Sequence, residues 1–197
     1  MVRASALVIV SLLLGACASI PDDLEPPPEQ VALAPAKSGM LATMEKIIRQ
    51  EHGESSSGFW LLDKNRDALK WRLALFDSAE SSLDVFYYLW YAHDSGRLVM
   101  QRIRQAADRG VKVRLLVDDL LLIGGDKGLV GIDSHPNIQL RLFNPKKQRM
   151  AGMVVDAGVR FEQMNARTHN KLIVADNRAA ILGCSNIGDY YFGLSEK

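Results

Sequence analysis

The most informative part of this chain is the stretch Thr168-His169-Asn170-Lys171-Leu172-Ile173-Val174-Ala175-Asp176, which is followed after six residues by Gly183-Cys184-Ser185-Asn186. Two apolar runs, 171–175 and 179–182, flank the turn-forming pair Asp176-Asn177 and predict a β-hairpin whose two strands are buried. Because side chains alternate along a strand, His169 and Lys171 are expected on the same face. An imidazole and an ammonium that point together from a strand end are suited to binding a phosphate diester.

The region before this stretch has the pattern of an α/β domain. Strands are predicted at 82–90, 111–118 and 138–143, with a further short strand at 60–62. Helices are predicted at 41–50, 63–78 and 97–107, the last ended by Gly110. Strand, helix and strand within 82–118 indicate a βαβ unit with parallel strands.

The combined pattern, HxKx4D-x6-GxxN, resembles the signature of the phospholipase D superfamily. The order Tyr-Tyr-Leu-Trp, helix and Ala-Ala-Asp-Arg-Gly-Val-Lys-Val-Arg-Leu-Leu-Val-Asp-Asp is similar to the first half of bacterial proteins of the cardiolipin synthase type. This resemblance covers most of 39–192. It implies an α/β fold with one phospholipase D-like domain, a mixed β-sheet flanked by helices in single copy.

The resemblance also implies a reaction, phosphatidyl transfer or hydrolysis of a phospholipid through a phosphohistidine, with no cofactor and no metal. Its catalytic residues here are His169, Lys171 and Asp176, with His169 either the nucleophile or the general acid. Lys171 and Asn186 are expected to bind the phosphate oxygens, whereas Asp176 usually organises the turn through hydrogen bonds. Asp189 is a candidate for the acid that orients a site histidine.

One position departs from the family pattern. The family often has serine directly after the glycine of GxxN, and this chain has Cys184. A thiol is a weaker hydrogen-bond donor than a hydroxyl, so this side chain is a poorer candidate for binding phosphate.

The N-terminus resembles that of a bacterial lipoprotein. Residues 1–16 have a short basic start and an apolar stretch that ends in Leu14-Gly15-Ala16-Cys17, which predicts a signal peptide cleaved before Cys17 and lipid attachment to that cysteine. An ordinary secretory signal with an incidental cysteine is the alternative. Five of the seven prolines lie within 17–38 and predict an extended tether, followed by the domain at 39–197. The expected location is the cell envelope, on the periplasmic face of the outer membrane.

Charge gives a further argument about substrate. The chain has 24 Lys and Arg against 23 Asp and Glu, and removing residues 1–16 would take away one of the former, Arg3. Such a balance lacks the basic field of a nucleic-acid-binding protein, so nucleic acid is not an expected partner. The expected partners are a phospholipid substrate and the membrane that holds the anchor.

The sequence contains one HxKx4D motif, whereas enzymes of this superfamily use two. Three interpretations follow: one half of a longer enzyme that supplies the second motif in cis, a homodimer that brings two copies of His169 together, or a non-catalytic remnant tethered to the membrane. The homodimer would be a one-motif phosphodiesterase or nuclease. The resemblance to lipid enzymes favours the first interpretation.

Overall fold

The computed structural model describes residues 25, 28–119, 126–145 and 167–195. The chain divides into two units, one formed by Met1–Glu29 and Asn144–Arg167, the other by Gln30–Phe143 and Thr168–Lys197. In the first unit, the Arg167 guanidinium donates to the carbonyl of Asn144. The predicted signal peptide and Cys17 lie outside the described residues.

Ten helices and strands lie in the described residues of the second unit. The helices are α1 Met40–His52, α2 Asn65–Ser78, α3 Asp94–Asp108, α4 Asp126–Asp133 and α5 Asp189–Phe192. The strands are β1 Ser82–Tyr87, β2 Lys112–Asp118, β3 Ile138–Phe143, β4 Lys171–Ala175 and β5 Ala179–Leu182.

The five strands form one mixed sheet in the order β3-β2-β1-β4-β5. Strand β1 is parallel to β2, and β2 is parallel to β3. The β4–β5 hairpin joins the other side of β1 in antiparallel fashion, with Tyr87 opposite Lys171 and Val85 opposite Ile173. The predicted α/β class, the mixed sheet and the parallel βαβ unit are therefore confirmed.

One face of this sheet carries the hydrophobic core. Strand alternation directs Leu83 and Val85 of β1, Ile173 of β4 and their counterparts on β2 to this face, where each is at most 2% exposed. Phe76 of α2 and Ile103 of α3 are fully buried in the same cluster. Full burial of each such side chain contributes about 1.5–3 kcal/mol, so this face supplies most of the driving force for folding.

Two strand predictions were wrong. Strand β5 is the edge of the sheet and is not buried, since Leu182 is 73% exposed. Residues 60–62 form no strand, and Trp60 is 81% exposed. The apolar run at 179–182 predicted a buried strand, and the shorter run at 60–62 predicted a strand. Burial and strand pairing both need neighbours that the local sequence does not specify.

Two helices were not predicted. Helix α4 contains two glycines in eight residues, which lowers helix propensity and hides its pattern. Helix α5 is four residues long, too short to show a helical repeat. No helix in the described ranges is long and apolar enough to span a bilayer.

The last part of the predicted tether lies along the domain. The Ala36 N–H donates to the carbonyl of Asp176 at 3.0 Å, and Arg178 Nε donates back to the Ala36 carbonyl at 3.0 Å. The Asn177 side chain donates to the Leu33 carbonyl at 3.0 Å. Residues 33–36 are thus held by the turn between β4 and β5, and the folded unit extends N-terminal to residue 39.

Candidate functional site

The site is built around the first residue of β4. Lys171 pairs with Tyr87 of β1 and shares the core-facing side of β4 with Ile173 and Ala175. It is 4% exposed, and its Nζ donates to the backbone carbonyl of His169 at 2.7 Å. The Lys171 ammonium therefore lies on the same side of β4 as the core residues Ile173 and Ala175.

Burial lowers the pKa of the Lys171 ammonium, and a negative charge on the Cys184 thiol would act in the opposite direction. An ammonium with little access to water interacts more strongly with an anion than one in bulk solvent does. Cys184 follows β5 and is an exposed free cysteine. Cys184, which stands where the family often has serine, is therefore close enough to Lys171 to interact with its charge.

His169 precedes β4 and is exposed. Its ring centroid lies 4.8 Å from that of Tyr88, with 58° between the ring planes. Lys171 Nζ lies 5.1 Å from the same Tyr88 centroid. Both side chains therefore contact one aromatic ring, in agreement with the expectation that His169 and Lys171 point the same way.

Tyr88 is a site residue that the sequence pattern did not single out. It follows the last residue of β1, at a bend in the backbone. Within a β-rich run, two consecutive tyrosines are most simply explained as one core and one surface residue. The pairing of β1 with β4 is what brings the second tyrosine next to the motif.

Asn186 lies beside this group and is 4% exposed. Its Oδ1 accepts from the Leu89 N–H at 3.2 Å, and its Nδ2 donates to the Tyr191 hydroxyl at 3.0 Å. A carboxamide NH2 carries two N–H donors, and the Tyr191 contact uses one of them. Asn186 thus fixes the backbone after β1 through its hydrogen bond with Leu89. Its role as a phosphate ligand stays a prediction.

The backbone around Asn186 extends this attachment. Ile187 N–H donates to the Leu89 carbonyl at 3.2 Å, and Tyr91 N–H donates to the Ile187 carbonyl at 2.9 Å, which forms a parallel bridge between Trp90 and Ile187. A Cβ at Gly188 would lie 2.8 Å from the Tyr91 ring, so this close approach needs glycine. The segment after GxxN is therefore held across the end of β1.

Asp176 lies at the opposite end of β4 from Lys171. The two Cα atoms are five residue steps apart, or about 17 Å at a rise of about 3.3 Å per residue. The Asp176 carboxylate accepts from the N–H groups of Glu80, Ser81 and Ser82 at 2.7–3.1 Å and from the Ser81 hydroxyl. These hydrogen bonds join the hairpin to the loop before β1. At this distance from His169, the Asp176 carboxylate is placed to stabilise the hairpin and not to contact the reacting groups.

Burial by itself would raise the pKa of Asp176, but the hydrogen bonds from the Ser82, Ser81 and Glu80 backbone and from the Ser81 hydroxyl outweigh it, and the pKa lies below its usual value. Asp176 as a whole is 1% exposed. Asp176 is therefore a buried anion whose charge is balanced by backbone dipoles.

Asp189, the candidate for an acid that orients a site histidine, lies near His93. Its carboxylate accepts from the Ser95 N–H at 2.9 Å and so caps the first turn of α3. Hydrogen bonds from Ser95, opposed by burial and assisted by the charge of His93, lower the pKa of Asp189. His93 Nδ1 lies 3.4 Å from the Asp189 backbone nitrogen, and its ring stacks on Tyr91 with centroids 5.2 Å apart. If Asp189 orients a histidine, the geometry favours His93.

The described ranges contain no cluster of three or more His, Cys, Asp or Glu side chains that could bind a metal ion.

Comparison with known proteins agrees with the motif. The family described as "Cardiolipin synthase, PLD-like domain" matches residues 73–196. Cardiolipin synthase C from Escherichia coli strain K12 is 43% identical over 143 residues, which cover 71% of this chain and 29% of that protein. A cardiolipin synthase from Staphylococcus aureus strain Mu50 is 30% identical over 115 residues, 56% of this chain and 21% of that protein.

Among solved structures, NucT from Helicobacter pylori aligns with 68% of this chain and 76% of its own, at a TM-score of 0.47 and 22% identity. The chain spans under a third of the length of the two cardiolipin synthases named above. Because the family match takes in β2, β3 and the whole β4–β5 hairpin with its HxKx4D and GxxN residues, this chain belongs to the cardiolipin synthase, phospholipase D-like domain family.

Proposed function

We propose that this chain carries one catalytic half-site for phosphodiester transfer on phospholipids, with His169 as the reacting histidine. The observation that carries the proposal is an exposed imidazole held beside a buried ammonium, both against the Tyr88 ring. The imidazole is open to a large substrate, while the ammonium is placed to attract a phosphate group.

The proposed reaction has two steps and needs two histidines. In the first, an imidazole nitrogen forms a bond to phosphorus, the bond from phosphorus to the leaving alkoxide breaks, and the second histidine gives the alkoxide a proton. In the second, water or an alcohol attacks phosphorus, the N–P bond breaks, and the second histidine takes the attacking group's proton. His169 supplies one of these roles. A second motif, in cis or in another copy of this chain, supplies the other.

Lys171 and Asn186 support this chemistry through charge and hydrogen bonding. Negative charge grows on the non-bridging oxygens as phosphorus is attacked, and a positioned ammonium stabilises it most where water is scarce. The second N–H of the Asn186 carboxamide is suited to the same oxygens. Asp176 contributes by anchoring the hairpin that carries both groups.

The names of the relatives support a phospholipid as the substrate, since the matched proteins from Escherichia coli and Staphylococcus aureus are cardiolipin synthases. The near-neutral charge of the chain also argues for lipid over nucleic acid. Attachment to the envelope through a lipidated Cys17, which we also propose, would hold the domain at its substrate.

The test compares phosphatidylglycerol turnover by the full-length protein and two histidine variants. His169→Ala is expected to lower kcat by at least about a thousandfold, as removal of a covalent nucleophile or its acid does. His52→Ala is the matched control because His52 is also an exposed histidine, at the end of α1, and its activity should equal that of the wild type.

A labelled oligonucleotide with added chelator forms the second arm of the assay. Lipid turnover that survives His169→Ala would contradict the assignment of His169. Cleavage of the oligonucleotide with no lipid turnover would favour the homodimeric phosphodiesterase or nuclease. Binding of lipid vesicles without turnover of either substrate would favour a non-catalytic tethered domain.

A further inference from the structure

We propose that Tyr88 is a positioning residue: the π face of its ring holds the His169 imidazole and the Lys171 ammonium side by side without neutralising either. The proposal rests on the proposed function for the purpose of this arrangement, and on geometry for its existence. None of the sequence motifs assigns a role to this tyrosine.

Three contacts form a closed set. The Tyr88 and His169 ring centroids are 4.8 Å apart, Lys171 Nζ is 5.1 Å from the Tyr88 centroid, and the same Nζ donates to the His169 carbonyl at 2.7 Å. Each member of the trio thus contacts the other two. A cation within about 6 Å of an aromatic centroid is attracted to the negative face of the ring.

An aromatic ring solves a problem that a carboxylate would create. A buried ammonium needs a favourable partner, and Asp or Glu is the usual one. A carboxylate beside Lys171 would, however, neutralise the charge and repel an incoming phosphodiester. The tyrosine ring attracts the ammonium through its quadrupole and leaves the net positive charge available to the substrate.

The backbone holds Tyr88 on both sides. Before it, Tyr87 pairs with Lys171 in the β1–β4 ladder. After it, the Leu89 N–H donates to Asn186 Oδ1 at 3.2 Å. The bend at residue 88 lies between these attachments. The GxxN asparagine therefore acts on the HxK residues indirectly, since it fixes the backbone next to the ring that contacts them.

Substitutions that separate the ring from its bulk test the proposal. Tyr88→Phe and Tyr88→Trp keep a π face, whereas Tyr88→Leu and Tyr88→Met keep apolar volume without one. Two variants of each kind are included so that misfolding of one, seen by circular dichroism, leaves its pair to decide. The readouts are the pKa of Lys171, from the carbon-13 shift of its Cε during a pH titration, and kcat and KM on phosphatidylglycerol.

Loss of the π face with burial retained removes an interaction that favours the charged amine. The Lys171 pKa is therefore expected to be lower in the Leu and Met variants than in the wild type, and unchanged in the Phe and Trp variants. In the full-length enzyme, kcat should fall about three- to thirtyfold in the Leu and Met variants, the range of a partly desolvated cation–π contact. The aromatic variants should keep kcat within about threefold, the lower limit of that range.

Equal Lys171 pKa values in the aromatic and aliphatic variants would overturn the proposal, because packing alone would then explain the position of Tyr88. The pKa readout needs no turnover. One outcome is that the enzyme assay detects no phosphodiester reaction while the Lys171 pKa is lower in the aliphatic variants than in the aromatic ones. In that case the proposed function is wrong and the role of Tyr88 is supported. If His169 is essential for turnover but the Lys171 pKa is the same in all four variants, the proposed function is supported and the role of Tyr88 is wrong.

Discussion

The two ends of β4 each hold a buried charge from the same motif, and they differ in how that charge is satisfied. At one end, Asp176 is 1% exposed and accepts hydrogen bonds from three backbone N–H groups and a serine hydroxyl. At the other, Lys171 is 4% exposed, and in the described ranges its ammonium donates one hydrogen bond, to His169. An ammonium has three donors, so the Lys171 end is suited to binding an anion and the Asp176 end is already satisfied.

Under the proposed function, one motif combines a structural residue, Asp176, with two reactive ones, His169 and Lys171. Asp176 stabilises the attachment of the hairpin to the loop before β1, and His169 and Lys171 use the position that this attachment provides. Variants at the two ends should therefore separate stability from activity.

The largest effect is expected at the structural end. Asp176→Ala would leave the backbone N–H groups of Glu80, Ser81 and the buried Ser82 without their acceptor, at a cost of about 3–5 kcal/mol in the free energy of unfolding. Urea denaturation followed by circular dichroism measures it. Asp63→Ala, an exposed aspartate in the loop before α2, is the control and should change stability by under about 0.5 kcal/mol. Equal urea midpoints for the two variants would refute the structural role.

The same carboxylate should make stability depend on acid. Because the folded-state pKa of Asp176 lies below the usual carboxyl value, its contribution is complete above the unfolded pKa of about 3.9 and is lost as the pH falls through the folded pKa. The free energy of unfolding should therefore fall more for the wild type than for Asp176→Asn as the pH is lowered from about 5 toward about 1, the range over which such a carboxylate titrates. The comparison covers the part of this range in which both proteins are folded. Parallel urea midpoints for the two proteins across that range would contradict the linkage.

A smaller effect of opposite sign is expected at the reactive end. Lys171→Met removes a buried charge and keeps an unbranched apolar chain, so the free energy of unfolding should stay unchanged or rise by about 1–2 kcal/mol. Phosphodiester turnover should be lost in the same variant. Lys70→Met, an exposed lysine on α2, should alter neither. A marked loss of stability in Lys171→Met would mean that this end of β4 is structural too.

Asp189 is expected to rank next. Its carboxylate caps α3 through Ser95, and loss of such a cap costs about 1 kcal/mol. Asp189→Asn, which keeps one acceptor oxygen, should retain most of that stability, and urea midpoints for the Ala and Asn variants measure the difference. If Asp189→Ala has wild-type stability but impaired turnover, its role is in the site and not in the helix cap.

The smallest stability effect belongs to His169. The imidazole is exposed, and replacement of an exposed side chain usually changes stability by less than about 0.5 kcal/mol. His169→Ala should therefore match the wild type in urea denaturation while it abolishes turnover. A clear shift in its urea midpoint would show that the contact with Tyr88 also supports the fold.

Elements that depend on local interactions could be predicted from the sequence. The predicted bounds of helices α1 to α3, strands β1 to β3 and the β4–β5 hairpin agree with the structure to within three residues at every end. Apolar spacing, the Asp176-Asn177 turn and the Gly110 stop all act over a few neighbours. The sequence also placed His169 and Lys171 together, since they are two residues apart on one chain segment.

The residues that surround this pair could not be predicted, because they come from distant parts of the chain. The bonds from Asp176 to 80–82, from Asn186 to Leu89 and from Asp189 to Ser95 join residues 94 to 97 positions apart. They depend on the pairing of β4 with β1, which is set by burial across the whole sheet and leaves no periodic signal in either strand. The exposure of β5 and the role of Tyr88 follow from the same pairing, because it places one strand at the sheet edge and one aromatic ring beside the motif.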